Sequence, residues 1–267
     1  MRFIFIVCMA ISALAASGAE PDTPSFAIEH IGLEDGLSNN FITDITQDGH
    51  GFVWIGTVAG LNRFDGENFK LFSERNTSLK GNSINKLLYN ADTDRLWVGS
   101  MKGLDVLDCR TQQFVDLRLP ENLGSVNIVD MMHGSDGSIY VVNHYNFIMR
   151  YKPETGEFEV FRKDELPGLP MAFGCIAEDS RGNFYIGHDA YGFSVVDFKT
   201  GKVSNFMHRP GDDKSLPGNN VRVIYIDRYD NIWVGTDQGL ALFNPVTHEF
   251  TTLPCGRNEQ DAVSCKN

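Results

Sequence analysis

Along most of this chain, apolar and polar positions alternate in short runs, and clusters rich in Gly, Asp, Asn and Pro separate them. Alternation with a period of two is the signature of half-buried strands, and the clusters between runs have the chemistry of tight turns. No sustained 3.6-residue periodicity argues for helices. Stacking the aromatic-centred runs on one another reveals a repeat: 51–57 reads GFVWIGT, 94–100 DRLWVGS, 137–143 GSIYVVN, 182–188 GNFYIGH and 230–236 DNIWVGT. The central aromatics are Trp54, Trp97, Tyr140, Tyr185 and Trp233, spaced by 43, 43, 45 and 48 residues. That period is close to the length of a four-stranded propeller blade.

Each copy has the same internal plan. An apolar strand such as 41–45, 84–88 or 221–226 precedes a Gly/Asp/Asn turn, and the aromatic strand follows it. A third strand opens at Leu61, Leu104, Phe147, Phe193 or Leu240, and a last one lies around Phe69, Phe114, Phe158, Val203 or Phe250. A small sheet that is apolar on both faces must pack against its neighbours, which predicts an all-β propeller of five four-stranded blades. A β-sandwich is the competing architecture, but it offers no reason for the regular spacing. The repeats are placed at 36–75, 76–120, 121–165, 166–210 and 211–253. A leading outer strand is expected within 20–35, and the start of a truncated sixth repeat at 254–267.

Composition changes this picture in three ways. With 42% hydrophobic residues the chain has material for a sizeable core. The formal net charge of -12, with scattered Lys and Arg, argues against nucleic acid and anionic membranes as partners. At the start, Arg2, the apolar run 3–16 and the small residues Ser17, Gly18 and Ala19 read as a cleaved signal peptide at 1–19, hence export to the periplasm. Beyond Cys8, the thiols of Cys109, Cys175, Cys255 and Cys265 show no metal-ligand spacing. They read as buried or free, with a Cys255–Cys265 disulfide as the alternative.

The wording of the first unit carries a resemblance: EDGLSNN at 34–40, Gln47 and Asp48, WIGT at 54–57 and GLNRFDG at 60–66. It resembles the two-component regulator propeller repeat, over about residues 26–253. The resemblance is strong in the first, second and fifth units and weaker in the third and fourth. That family forms the periplasmic sensor region of hybrid two-component histidine kinases, especially of gut Bacteroidetes that detect glycan fragments. Full sensors of the family carry two seven-bladed propellers, a β-sandwich, a transmembrane helix and a kinase. The resemblance therefore implies an incomplete N-terminal part of a seven-bladed propeller, with a five-bladed ring closed on itself as the rival. No phosphoacceptor region, ATP-binding glycine boxes or receiver domain occurs in this sequence.

The bend after the central aromatic is regular in three units, with Thr57, Ser100 and Thr236 leading to Gly60, Gly103 and Gly239. Units three and four break the rule with Asn143, His144 and Tyr145, and with His188, Asp189 and Tyr191. Aromatic faces flanked by His, Asn and Asp suit a sugar, whose C–H faces stack and whose hydroxyls need partners. These six residues are the candidate ligand site, with loop drift under weak constraint as the bland alternative. Asn39, Asn40, Asn82, Asn219 and Asn220, ahead of first strands, read as Asx-turns, with ligand contact as the alternative. No catalytic residue, metal or cofactor is expected. The acidic residues Asp48, Asp136, Asp179 and Asp230 fall in hairpin turns on the opposite face.

The expected function is sensing. The expected partners are an oligosaccharide or other small ligand and a membrane-linked histidine kinase of a parent protein, with room for a homodimer. A propeller-fold glycosidase or lyase, and a protein-interaction scaffold, are the alternatives.

Overall fold

The chain divides into two compact units, Met1–His30 and Ile31–Asn267, and the architecture below is that of the second. The computed structural model describes residues 30–120, 126–144 and 147–253. The expected signal peptide, the start of a sixth repeat, Cys255, Cys265 and Tyr145 lie outside the described residues. Of the expected leading strand, the described part holds a 3-10 turn at Leu33–Asp35.

Five four-stranded antiparallel sheets follow one another, each with its strands in chain order. Blade 1 comprises β1 (Ile42–Gln47), β2 (Val53–Thr57), β3 (Gly60–Phe64) and β4 (Phe69–Phe72). Blade 2 comprises β5 (Ile84–Asn90), β6 (Arg95–Ser100), β7 (Gly103–Asp108) and β8 (Gln113–Val115). Blade 3 holds β9 (Ile128–His133), β10 (Ile139–Asn143), β11 (Phe147–Lys152) and β12 (Glu157–Arg162). Blade 4 holds β13 (Phe173–Glu178), β14 (Phe184–His188), β15 (Phe193–Asp197) and β16 (Lys202–Phe206). Blade 5 holds β17 (Val221–Ile226), β18 (Ile232–Thr236), β19 (Gly239–Asn244) and β20 (Glu249–Thr252). This is the all-β propeller architecture expected from the repeat.

The first strands of successive blades touch, β1 with β5, β5 with β9, β9 with β13 and β13 with β17, so they are the inner strands. Four apolar clusters fill the four junctions between blades. Trp54 and Leu61 of blade 1 pack on Ile84, Leu96 and Val98 of blade 2. Trp97 of blade 2 packs with Ile128, Val141 and Tyr151 of blade 3. Tyr140 of blade 3 joins Phe173, Phe184 and Ile186 of blade 4, and Tyr185 and Phe193 of blade 4 join Val234, Phe243 and Phe250 of blade 5. The first four central aromatics thus serve the junction with the next blade, where full burial is worth about 1.5–3 kcal/mol per large side chain. Trp233, last of the series, is only half-buried.

The glycine two places after the aromatic has a steric cause. A Cβ on Gly99 would lie 2.7 Å from Cγ2 of Ile128, and one on Gly56 would lie 2.8 Å from Cγ2 of Ile84. The next inner strand approaches too closely for any side chain there. Blade 3 carries Val142 instead, buried in the cluster that holds Ile148, Phe173 and Ile176. A register shift interrupts every pairing of first with second strand. This bulge sets Asp44, Lys86, Asp130, Cys175 and Val223 opposite the glycine position in the five blades. Cys109 and Cys175 are buried free thiols.

Candidate functional site

The hairpins between first and second strands build one end of the blades, and their carboxylates are spent on local structure. Asp48 accepts from the Trp54 indole Nε1 at 2.7 Å and from the backbone N–H groups of His50 and Phe52 at 2.9 and 3.0 Å. Asp179 does the same for the Tyr185 hydroxyl, at 2.9 Å, and for the amides of Arg181 and Asn183. In blade 5 this role falls to Asp227, which accepts from Trp233 Nε1 at 3.2 Å. The hydrogen bond from the Asn231 side chain does most to hold the Asp227 carboxyl down at about 2. Asp230 instead accepts from Ser180 across the junction between blades 4 and 5. Asp136 pairs with Arg150 within blade 3. Blade 2 has Asn90 at the capping place, engaged with Thr93, and the buried Trp97 Nε1 has no partner.

The opposite end carries the bends after the aromatic strand. In the regular blades a hydroxyl closes the bend: Thr57, Ser100 and Thr236 each donate to the carbonyl three residues on, at 3.0 Å, and accept the amide two residues on. His188 takes this place in blade 4 and is fully buried, with Nε2 2.8 Å from the Ser194 hydroxyl and Nδ1 3.3 Å from the Met171 carbonyl. Burial drives its pKa down to about 4. Asn143 is likewise buried, at the end of β10 and opposite Ile128. These two expected ligand contacts therefore lie behind the surface, because their position in the bend is one that the fold closes over.

The structure does bring the two irregular bends together. His144 Nδ1 lies 3.2 Å from the Phe173 carbonyl, the Phe173 amide donates to the His144 carbonyl, and the Asp189 amide donates to the carbonyl of Ala172. Both bends thus converge on the segment leading into β13. Asp189 is half-exposed, 3.8 Å from the Arg222 guanidinium, and Tyr191 is 47% exposed. Of the candidate residues described, these two present their side chains most openly.

A second feature of this face includes Asn219 and Asn220, whose ligand contact was the alternative to Asx-turns, but its other lining residues carried no signal in the sequence. A cavity of about 600 Å³ lies between the bends of blades 4 and 5, lined by Ala190, His208, Asn219, Asn220, Asp237 and Gln238 along with Pro217 and Gly218. Asn220 clasps its two sides: its Oδ1 accepts the Ala190 amide at 2.7 Å and its Nδ2 donates to Asp237 at 2.8 Å. Asn219 Oδ1 accepts the His208 amide. Only Asn39 makes the expected Asx-turn, accepting the Phe41 amide at 2.7 Å, whereas Asn82 bonds Glu74 eight residues away.

On the inner strands, charges alternate across blades 1 to 3. Lys86 Nζ lies 3.6 Å from Asp44 and 3.4 Å from Asp130. Asp44 also accepts the Leu87 amide of blade 2, and Asp130 the Ile176 amide of blade 4. Burial pulls the Lys86 ammonium toward neutrality, but the carboxylates of Asp130 and Asp44 outweigh it and hold its pKa above the usual lysine value. Among the described residues, no group of three or more His, Cys, Asp or Glu could hold a metal ion.

Comparison with known proteins places these features. The family model described as Two component regulator propeller matches residues 36–59 and 215–238, in blades 1 and 5. Blades 1 and 5 thus match the two-component regulator propeller repeat. Over 84% of this chain, the repeats superpose on the crystallised extracellular domain named for the hybrid two-component system BT3049 of B. thetaiotaomicron, at 33% identity and a TM-score of 0.75. A 72-residue stretch is 35% identical to histidine kinase P4 of Formosa agariphila. The chain spans 31% of that solved domain and 5% of the kinase. The propeller fold alone is shared with virginiamycin B lyase of Staphylococcus aureus, at 14% identity, a TM-score of 0.62 and coverage of 82% of this chain and 71% of the lyase. The repeats thus have a relative in the extracellular domain of a two-component system, and their architecture also hosts an enzyme. No helix among the described residues is long and apolar enough to cross a membrane.

Proposed function

We propose that this chain is a periplasmic, ligand-sensing propeller of a two-component system, that it recognises a carbohydrate without transforming it, and that a membrane-linked histidine kinase of a parent protein receives the signal. The observation that carries this reading is the 33% identity to an extracellular two-component domain over 84% of the chain. The surface geometry supports it. Tyr191 offers an exposed ring for a sugar face, and Asp189 and the amide-rich cavity beside it offer partners for hydroxyls. The hairpin carboxylates of Asp48 and Asp179 are consumed by their own turns, which leaves them no part in acid–base chemistry on a glycoside.

The test is thermal unfolding of the protein against a panel of neutral and acidic oligosaccharides, with a parallel assay for released reducing ends. A ligand present at 100 times its Kd contributes about 2.7 kcal/mol, or roughly 5–10 °C for a domain of this size. Stabilisation without released ends supports sensing. Released ends would replace the reading with a glycan-active enzyme, and no shift with any saccharide would remove carbohydrate as the ligand.

A further inference from the structure

We propose that the cavity between the bends of blades 4 and 5 is a saccharide subsite selective for uncharged sugars, which rests on the carbohydrate reading above. Its volume, about 600 Å³, falls within the range of small-molecule sites. The argument for the ligand class comes from the hydrogen-bonding groups that line it. His208 Nδ1 lies 2.8 Å from the Leu216 carbonyl, which can only accept, so Nδ1 carries a proton and Nε2 is the ring nitrogen left for a ligand. Asn219 has its Oδ1 engaged by the His208 amide, which leaves its NH2 group as a donor. Gln238 is exposed and supplies one donor group and one acceptor. Asp237 has one oxygen held by Asn220 and a second that accepts.

Donors and acceptors are therefore interleaved, as a row of hydroxyls requires, because each hydroxyl gives one hydrogen bond and takes others. The one formally charged side chain lining the cavity is the Asp237 carboxylate. It would lie against the carboxylate of a uronic acid or the sulfate of a sulfated sugar, and such juxtaposition of like charges is how a site rejects a competitor. Asn220 makes the cavity a built site: one side chain fixes the blade 4 bend through Ala190 and the blade 5 bend through Asp237. Tyr191, next in the chain to Ala190, is 47% exposed.

Titration calorimetry on the intact chain tests this with xylohexaose, mannohexaose, cellohexaose and maltohexaose against hexagalacturonate and a chondroitin sulfate hexasaccharide. At least one neutral hexasaccharide should bind, and at least tenfold more tightly than either acidic one. Gln238→Trp, an exposed loop substitution that puts a bulky ring on the cavity wall, should weaken that binding at least tenfold with an unchanged melting temperature. Asp237→Asn keeps an acceptor for Asn220 and should narrow the gap between neutral and acidic sugars. A saccharide that binds wild type and Gln238→Trp equally would overturn the subsite while leaving carbohydrate sensing intact. Preference for an acidic hexasaccharide would overturn the assigned class. Failure of every saccharide to bind would remove the carbohydrate reading and the subsite with it.

Discussion

Replacing Asp48 by Ala tests how the hairpin caps hold a blade. The side chain is 6% exposed and accepts three hydrogen bonds, from the Trp54 indole and from the amides of His50 and Phe52. Trp54 is fully buried, so its N–H would be left without a partner at a cost of about 1–3 kcal/mol. The two turn amides can reach water, and each loses about 0.5–1.5 kcal/mol, the net value of an ordinary hydrogen bond. The total is about 2–6 kcal/mol, which lowers the urea midpoint by roughly 0.7–2 M when m is about 3 kcal/mol/M. A double-mutant cycle isolates the indole bond. In a Trp54→Phe background the donor is already gone, and Asp48→Ala should cost about 1–2 kcal/mol less than in the wild type. Equilibrium urea unfolding of the four proteins, followed by circular dichroism, gives the coupling directly. A coupling near zero, or a cost below about 1 kcal/mol for Asp48→Ala, would refute the assignment of the turn carboxylate as a cap for the buried aromatic.

Two other outcomes follow from the same geometry. Burial lowers the His188 pKa to about 4 from 6.5, so the unfolded chain takes up the proton more readily. The stability contributed by neutral His188 is complete above pH 6.5, erodes as pH falls toward 4, and amounts to about 3 kcal/mol. His188→Gln should remove that slope from a pH series of urea midpoints, and an unchanged slope would place the titration elsewhere. Gly99→Ala should destabilise by about 1–3 kcal/mol through overpacking against Ile128, and Gly99→Ala with Ile128→Ala should cost less than the sum of the two, read by thermal unfolding.

The sequence made the blades legible because their signals are local. An alternating run, a turn cluster and an aromatic place a strand wherever they occur, and five copies overdetermine the period. The glycine after the aromatic was legible as a regularity, but its cause was not, since the clash belongs to an inner strand about 30 residues ahead, as with Gly99 and Ile128. The candidate site divides along the same line. His188 and Asn143 were visible as departures from a template, yet whether a departure faces solvent or the core depends on partners such as Ser194 and Met171. Asn219 and Asn220 resembled turn formers, and their reach to His208 and Ala190 appears only once two bends are placed side by side. The bulge hid the inner charges, because one extra residue breaks the period of two on which a facing assignment rests. Aligning the five blades at that bulge would have set Asp44, Lys86 and Asp130 in one column.

That column gives three modules of one plan an address. The apolar seams differ in their residues but not in kind, so burial alone separates right from wrong neighbours less sharply than charge does. With an anion, a cation and an anion at matching places, the middle unit satisfies both flanks, and transposing it with either neighbour would set two carboxylates next to one another. A single charged position in each of blades 1 to 3 thus matches it to its neighbours.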